Sequence, residues 1–212
     1  VTEEPTVFVV EDDPAVLRSL TALVKVVFPR VEAYGSAAEF LAAYQPAHSV
    51  GHLRSPADGR PGCLVLDVAM PQMSGLELHR KLIEDKIDLP VVFVTGHANV
   101  QMAVGAMQAG AVNFLEKPFR EQELWDSIRR ALELDQRNRR RKARRCQAEE
   151  RIARLTPGER EVLGLILEGK LNKEIAARLG LSIRTVEDRR ARLMKKTEAN
   201  SVAELVQLAM TH

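Results

Sequence analysis

The sequence predicts a doubly wound α/β fold, a five-stranded parallel sheet, joined by a long helical linker to a small all-α domain of four helices. Three observations carry that prediction. Five short strand-like runs begin at Thr6, Arg30, Leu64, Leu89 and Ala111, and residues with helical spacing follow each of them. Between Glu121 and Pro157 nothing breaks a helix, although the stretch turns strongly basic after Leu134. Beyond Pro157, apolar residues recur in four short helical blocks separated by turn and cap residues. The 212 residues suffice for two separate cores.

Thr6–Val10 reads as a buried strand that ends in three acids, Glu11, Asp12 and Asp13. Asp13 is the expected N-cap of the next helix, with Pro14 at N1 and Val16, Leu17, Leu20, Leu23, Val24 and Val27 on the core side. Glu11 and Asp12 are less readily assigned to structure. Like charges at a strand end repel unless a cation joins them, and carboxylate oxygens suit Mg²⁺. Residues 30–34 form a weaker strand, and Ser36 caps a helix through Leu41. Residues 45–62 are rich in Pro, Gly, His and Ser and read as a long surface loop. His48 and His52 lie in it four residues apart, either simply solvated or as metal ligands.

The central stretch is residues 63–75. The apolar run Leu64–Leu66 stops at one carboxylate, Asp67, before Pro71 and Gly75 turn the chain into a helix ending near Asp85. Ligands bind at the carboxyl ends of strands in such sheets, which places Asp67 in the crevice. A carboxylate there either caps the following loop or acts as a nucleophile that becomes an acyl phosphate, given cations to neutralise the phosphoryl oxygens. A fourth strand, 89–94, ends at Thr95, whose hydroxyl either bonds a phosphoryl oxygen or starts the next turn. A helix over 100–109 stops at Gly110, and a fifth strand, 111–116, leads to Lys117 and Pro118. Lys117 is a solvated charge or a partner of Asp67 at the same sheet edge, and the Lys117–Pro118 peptide is a candidate cis bond.

The acidic pair after strand one, Asp67-x-x-Met70-Pro71 after strand three, Thr95-Gly96 after strand four and Lys117-Pro118 after strand five together resemble a response-regulator receiver domain, of flavodoxin-like fold. The resemblance covers about residues 5–134. It implies that Asp67 accepts a phosphoryl group from a histidine kinase. It further implies that Glu11, Asp12, Asp67 and the backbone carbonyl of Ala69 hold Mg²⁺ and that Thr95 and Lys117 contact the phosphoryl oxygens. Phe114 would turn inward as Thr95 moves. Glu11 stands where an Asp is commoner, Ala69 and His97 occupy positions that tune phosphoryl lifetime, and the 45–62 loop is longer than usual.

Residues 121–134 predict the last receiver helix, with Leu124, Ile128, Ala131 and Leu132 on the core side. The basic run 137–145 continues it as a helical linker, either a solvated face or a set of DNA phosphate contacts, and open to pairing with a second copy. Thr156, Pro157 and Glu159 outline a capping box for a helix with Val162, Leu163, Ile166 and Leu167 inward. Asn172 opens a second helix closed by Gly180, and Ser182 caps a third with Val186, Leu193 and Met194 inward. Ala203, Leu205, Val206 and Leu208 supply a fourth. The tight glycine turn is helix-turn-helix geometry, although periodicity alone also admits a bundle for protein contacts.

The stretches 155–163, 169–176 and 181–187 resemble the LuxR-type DNA-binding domain, over about residues 150–212. With the receiver, they make the chain similar to response regulators of the NarL/FixJ class. The resemblance implies phosphate contacts from Lys173, Ser182, Arg184 and Thr185 and base reading by the helix 183–196. Arg189, Arg190, Arg192, Lys195 and Lys196 add phosphate-binding charge. Glu187 and Asp188 occupy positions where relatives more often carry basic or apolar base-facing residues, and Arg189 replaces a common histidine. An acid can accept from a cytosine amino group but repels phosphate.

The expected divisions are residues 1–134 for the receiver, 135–152 for the linker and 153–212 for the DNA-binding domain. Charge follows them. Residues 1–120 hold 10 basic and 14 acidic side chains, 121–151 hold 10 and 7, and 152–212 hold 11 and 8, within a net charge of +2. Cys63 and Cys146 share no motif, which argues against a disulfide framework. The N-terminal residues are not a signal peptide and no run is long enough to span a membrane, so a cytoplasmic protein without membrane partners is expected. The reading is a phosphorylation-dependent transcriptional regulator that dimerises on phosphorylation and binds double-stranded DNA. An aspartyl-phosphate hydrolase would want a second acid where Ala69 stands, so no enzyme is expected. The alternative is a phosphorylation-controlled protein-interaction switch whose helical domain does not bind DNA.

Overall fold

The computed structural model describes residues 4–44, 60–96 and 99–210. His48, His52 and His97, and most of the 45–62 loop, lie outside the described residues. The chain forms two compact units, Val1–Arg139 and Arg140–His212.

The first unit is a parallel five-stranded sheet of order β2-β1-β3-β4-β5. Its strands are β1 (Thr6–Val10), β2 (Arg30–Tyr34), β3 (Gly62–Asp67), β4 (Val91–Thr95) and β5 (Asn113–Glu116). The interleaved helices are α1 (Pro14–Lys25), α2 (Ala37–Ala43), α3 (Gly75–Glu84) and α4 (Val100–Gln108), followed by α5 (Glu121–Ala153). The three central strands are buried throughout because helices cover both faces. Strand alternation sorts their side chains. Phe8, Val10, Leu64, Leu66 and Phe93 pack with Phe40 of α2 and Leu78 and Leu82 of α3. Val7, Val9, Val65, Val92 and Val94 pack with Leu20 and Val24 of α1 and Leu124 and Ile128 of α5.

Local chemistry starts each helix where the sequence predicts. The Asp13 carboxylate accepts from the amides of Ala15 and Val16 at 2.7 and 3.1 Å. Ser36 caps α2, and Ser74 with Glu77 closes a reciprocal capping box on α3. Three strand starts differ from expectation: β3 begins at Gly62 rather than Leu64, because its pairing with β1 already starts there. β4 begins at Val91 rather than Leu89, and β5 at Asn113 rather than Ala111, because ladder pairing with the neighbouring strand begins only there. Thr95 closes β4 instead of following it. The Lys117–Pro118 peptide is cis.

Two long-range bonds tie helix α5 to α1 and to the start of β3. The Trp125 indole donates to the Leu23 carbonyl at 3.1 Å, and buried Asp135 accepts from the Gly62 amide at 2.9 Å. The helix then runs on without a break to Ala153, 33 residues in all.

The second unit adds α6 (Pro157–Leu167), α7 (Asn172–Leu179), α8 (Ile183–Thr197) and α9 (Val202–Met210). Val162, Leu163, Ile166, Ile175, Val186, Leu193 and Leu205 form its core. Two residues assigned inward are exposed. Leu167 lies on the last turn of α6, and its place in the core goes to Leu165. Ala203 sits on the first turn of α9, where only Leu205 is fully buried. At helix ends the apolar stripe outruns the neighbours available to cover it.

Candidate functional site

The carboxyl ends of β1 and β3 bring three acids together. Ligand oxygens of Glu11, Asp12 and Asp67 all lie within 4.8 Å of one another. Glu11 and Asp67 are buried, while Asp12 stays open to solvent. Two such carboxylates side by side in low dielectric call for a cation. Lys117, delivered by the end of β5, meets that demand: its Nζ donates to Glu11 Oε2 at 2.6 Å and to Asp67 Oδ1 at 2.9 Å. Burial, aided by the Asp67 charge, pushes the Glu11 carboxyl above its ordinary range even against the pull of Lys117. Burial opposes the Lys117 ammonium, but its bonds to both acids overcome that and raise its pKa.

The backbone fixes these groups. The Ala69 amide donates to Asp67 Oδ2 at 2.6 Å, so both oxygens of Asp67 are engaged. The Lys117 amide donates to the Thr95 carbonyl at 2.7 Å, which sets where the lysine leaves β5. Thr95 is fully buried on β4, one residue beyond Val94, the register partner of Asp67. Phe114 is half-buried, its ring 6.0 Å from that of Phe93.

Gly75 belongs to this site, and sequence reasoning reads it only as turn punctuation. A Cβ there would overlap the Asp67 backbone carbonyl, so glycine lets α3 start directly against the strand end. The available signal is its position at N1, immediately after the Ser74 cap, where helix entry needs no glycine.

The donor set fits a hard divalent cation, since it consists of carboxylate oxygens and excludes nitrogen and sulfur. Arranged with a half-buried lysine, it can hold a phosphoryl group on Asp67 and neutralise its oxygens.

In the second unit, Gly180 closes α7 in the left-handed conformation and the Leu181 amide bonds the Ala176 carbonyl at 2.9 Å. Ser182 then caps α8 by accepting from the Thr185 amide, and the two hydroxyls lie 2.8 Å apart. Val186 and Leu193 turn one side of α8 into the core. The candidate contact residues divide into two groups. Lys173, Arg184, Glu187, Asp188, Arg192 and Lys195 are exposed. Arg189, Arg190 and Lys196 are engaged within the unit. Arg190 donates to Asn172 at 2.9 Å, and Lys196 donates at 2.7 Å to buried Glu159, which it and the Thr156 amide hold ionised despite burial. The Arg189 guanidinium lies against Gly158, where a Cβ would collide with it.

Comparison with known proteins gives two family matches. The model described as response regulator receiver domain covers residues 7–129, and that described as bacterial regulatory proteins, luxR family, covers residues 153–209. The chain is 39% identical to the response regulator protein TmoT of Ectopseudomonas mendocina, over 97% of this chain and 88% of the relative. It is likewise 39% identical to the transcriptional regulatory protein FixJ of Rhizobium meliloti, over 97% of this chain and 95% of the relative. Among solved structures, that of the response regulator StyR matches with a TM-score of 0.82 at 39% identity, over 99% of this chain and all of that one.

Proposed function

The chain belongs to the two-component response regulators that join a receiver domain to a LuxR-type DNA-binding domain, transcriptional regulators rather than enzymes, and from that premise we propose how its residues share the work. Residues 1–134 form the receiver, 135–152 the linker and 153–212 the output domain. A histidine kinase supplies the phosphoryl group. An Asp67 oxygen attacks its phosphorus, the bond to the donor imidazole breaks, and an acyl phosphate remains on Asp67. Glu11, Asp12, Asp67 and the Ala69 carbonyl hold Mg²⁺, which when bound supplies charge neutralisation at the phosphoryl oxygens. Lys117 shifts its contact from the carboxylate to a phosphoryl oxygen, and Thr95 takes another.

The observation that carries this reading is the Lys117 ammonium bridging Glu11 and Asp67 across the strand ends. A phosphoryl group on Asp67 adds negative charge beside that lysine and biases the β4–β5 edge, where Thr95 and Phe114 sit, between two arrangements. The changed edge promotes a homodimer. Lys173, Ser182, Arg184 and Thr185 then contact phosphates. The exposed side of α8 enters the major groove, with Glu187 and Asp188 toward base edges. Arg189, Arg192 and Lys195 add phosphate-binding charge, and Arg190 and Lys196 hold α8 through Asn172 and Glu159. Intact mass after incubation with a small acyl phosphate and Mg²⁺ tests the first step. One phosphoryl group on the wild type and none on Asp67→Ala is expected, and incorporation by Asp67→Ala would overturn the assignment.

A further inference from the structure

We propose that the exposed arginines of α5 that fold with the output unit, Arg140, Arg141 and Arg144, contact the DNA backbone beside the site held by α8. The inference rests on reading that unit as DNA-binding. Residues 140–148 contain five cations and no acid. Every side chain from Arg140 to Gln147 except Lys142 is exposed. Arg140, Arg141 and Arg144 have no ion-pair partner among the described residues, whereas Arg145 is paired with Glu149 at 2.7 Å.

This charge is fixed to the output unit rather than tethered. Ala148 is 3% exposed, and Arg151 bonds Glu198 at 2.7 Å, just past the end of α8. Arg144 lines a cleft of about 340 Å³ together with Ala148, Thr197 and Gln207. From Arg151 back to Arg144 is about 10 Å along the helix. The arginines are therefore carried by the stretch of α5 that packs near the C-terminal end of α8.

Charge complementarity selects the occupant. On the exposed side of α8, Arg184, Arg192 and Lys195 are offset by Glu187 and Asp188, Lys196 is paired with buried Glu159, and Arg189 and Arg190 are only half-exposed. The helix meant for the groove thus brings little net positive charge to a polyanion, while α5 carries a block of it. A second copy of α5 is a poor alternative occupant. Between Asp135 and Arg151 the apolar side chains are only Ala143, Cys146 and Ala148, too few for a packed helix–helix seam, and two such helices would repel.

The test uses the full chain, phosphorylated with a small acyl phosphate and Mg²⁺, on a duplex selected in vitro and on a random-sequence duplex. Arg140→Gln, Arg141→Gln and Arg144→Gln are combined, since Gln keeps helix propensity, and circular dichroism checks the helix. A matched control combines Arg18→Gln, Lys25→Gln and Arg80→Gln on the receiver. Loss of three phosphate contacts makes the log–log salt slope shallower by about 3, so the wild-type advantage shrinks about 40-fold between 50 and 200 mM salt. The loss is equal on both duplexes and absent from the control. Equal slopes for wild type and Gln variant overturn the proposal, as does an equal loss in the control. So does a change of oligomeric state with the slope unaltered, which would assign the face to a second copy. Wild type that binds neither duplex overturns the DNA reading itself, a distinct result.

Discussion

At the scale of the residue, the receiver site depends on charge balance and on one close approach. Replacing Lys117 by Met leaves Glu11 and Asp67 buried together with no bridging cation, and phosphoryl incorporation should slow by about 10²-fold, measured by mass against time. Gly75→Ala places a methyl on the Asp67 carbonyl and should cost about 1–3 kcal/mol, read as a lower urea midpoint of the receiver transition at unchanged m. His79 of α3 lies edge-on to Phe93, ring centroids 5.5 Å apart, and its burial lowers its pKa below the ordinary 6.5. A depressed folded-state value means that the neutral ring's contribution is fully present above pH 6.5 and is lost as pH falls below it. The urea midpoint of wild type relative to His79→Phe should therefore be constant above that pH and decline below it. A difference that grew with acidification would contradict the placement of His79.

At the scale of the element, much of the fold can be read from the chain because each signal is local. Asp13-Pro14, Ser36, Ser74 with Glu77 and Thr156 with Glu159 announce helix starts through bonds made within three residues. Thr156→Ala should cost about 1 kcal/mol and raise amide exchange across α6 in the full chain. What escapes local reading is whatever depends on distant neighbours. Leu165 and Leu167 both suit the helical period, and only the packing of α6 against the rest of its core decides between them. The basic residues of α8 look equivalent in sequence, yet Lys196 is claimed by Glu159, 37 residues earlier, and Arg190 by Asn172, 18 residues earlier. Removing either partner should therefore affect stability before it affects DNA.

At the scale of the whole molecule, the candidate site is legible because four strand ends each carry a chemically distinctive residue and a parallel sheet gathers them at one edge. Glu11, Asp67 and Lys117 meet as that topology requires. The part of Gly75 is hidden, because a glycine shows its purpose only beside the carbonyl it accommodates. Among the described residues no helix is long and apolar enough to cross a membrane. In the proposed function, charge placed on Asp67 is read out as DNA affinity. The most direct test is the equilibrium binding of purified full chain to genomic fragments across a salt series, with and without a small acyl phosphate and Mg²⁺, using Asp67→Ala alongside. Tighter, salt-sensitive binding that appears with the phosphodonor and vanishes in Asp67→Ala is the predicted result. Phosphorylated protein that binds no fragment even at low salt would contradict it.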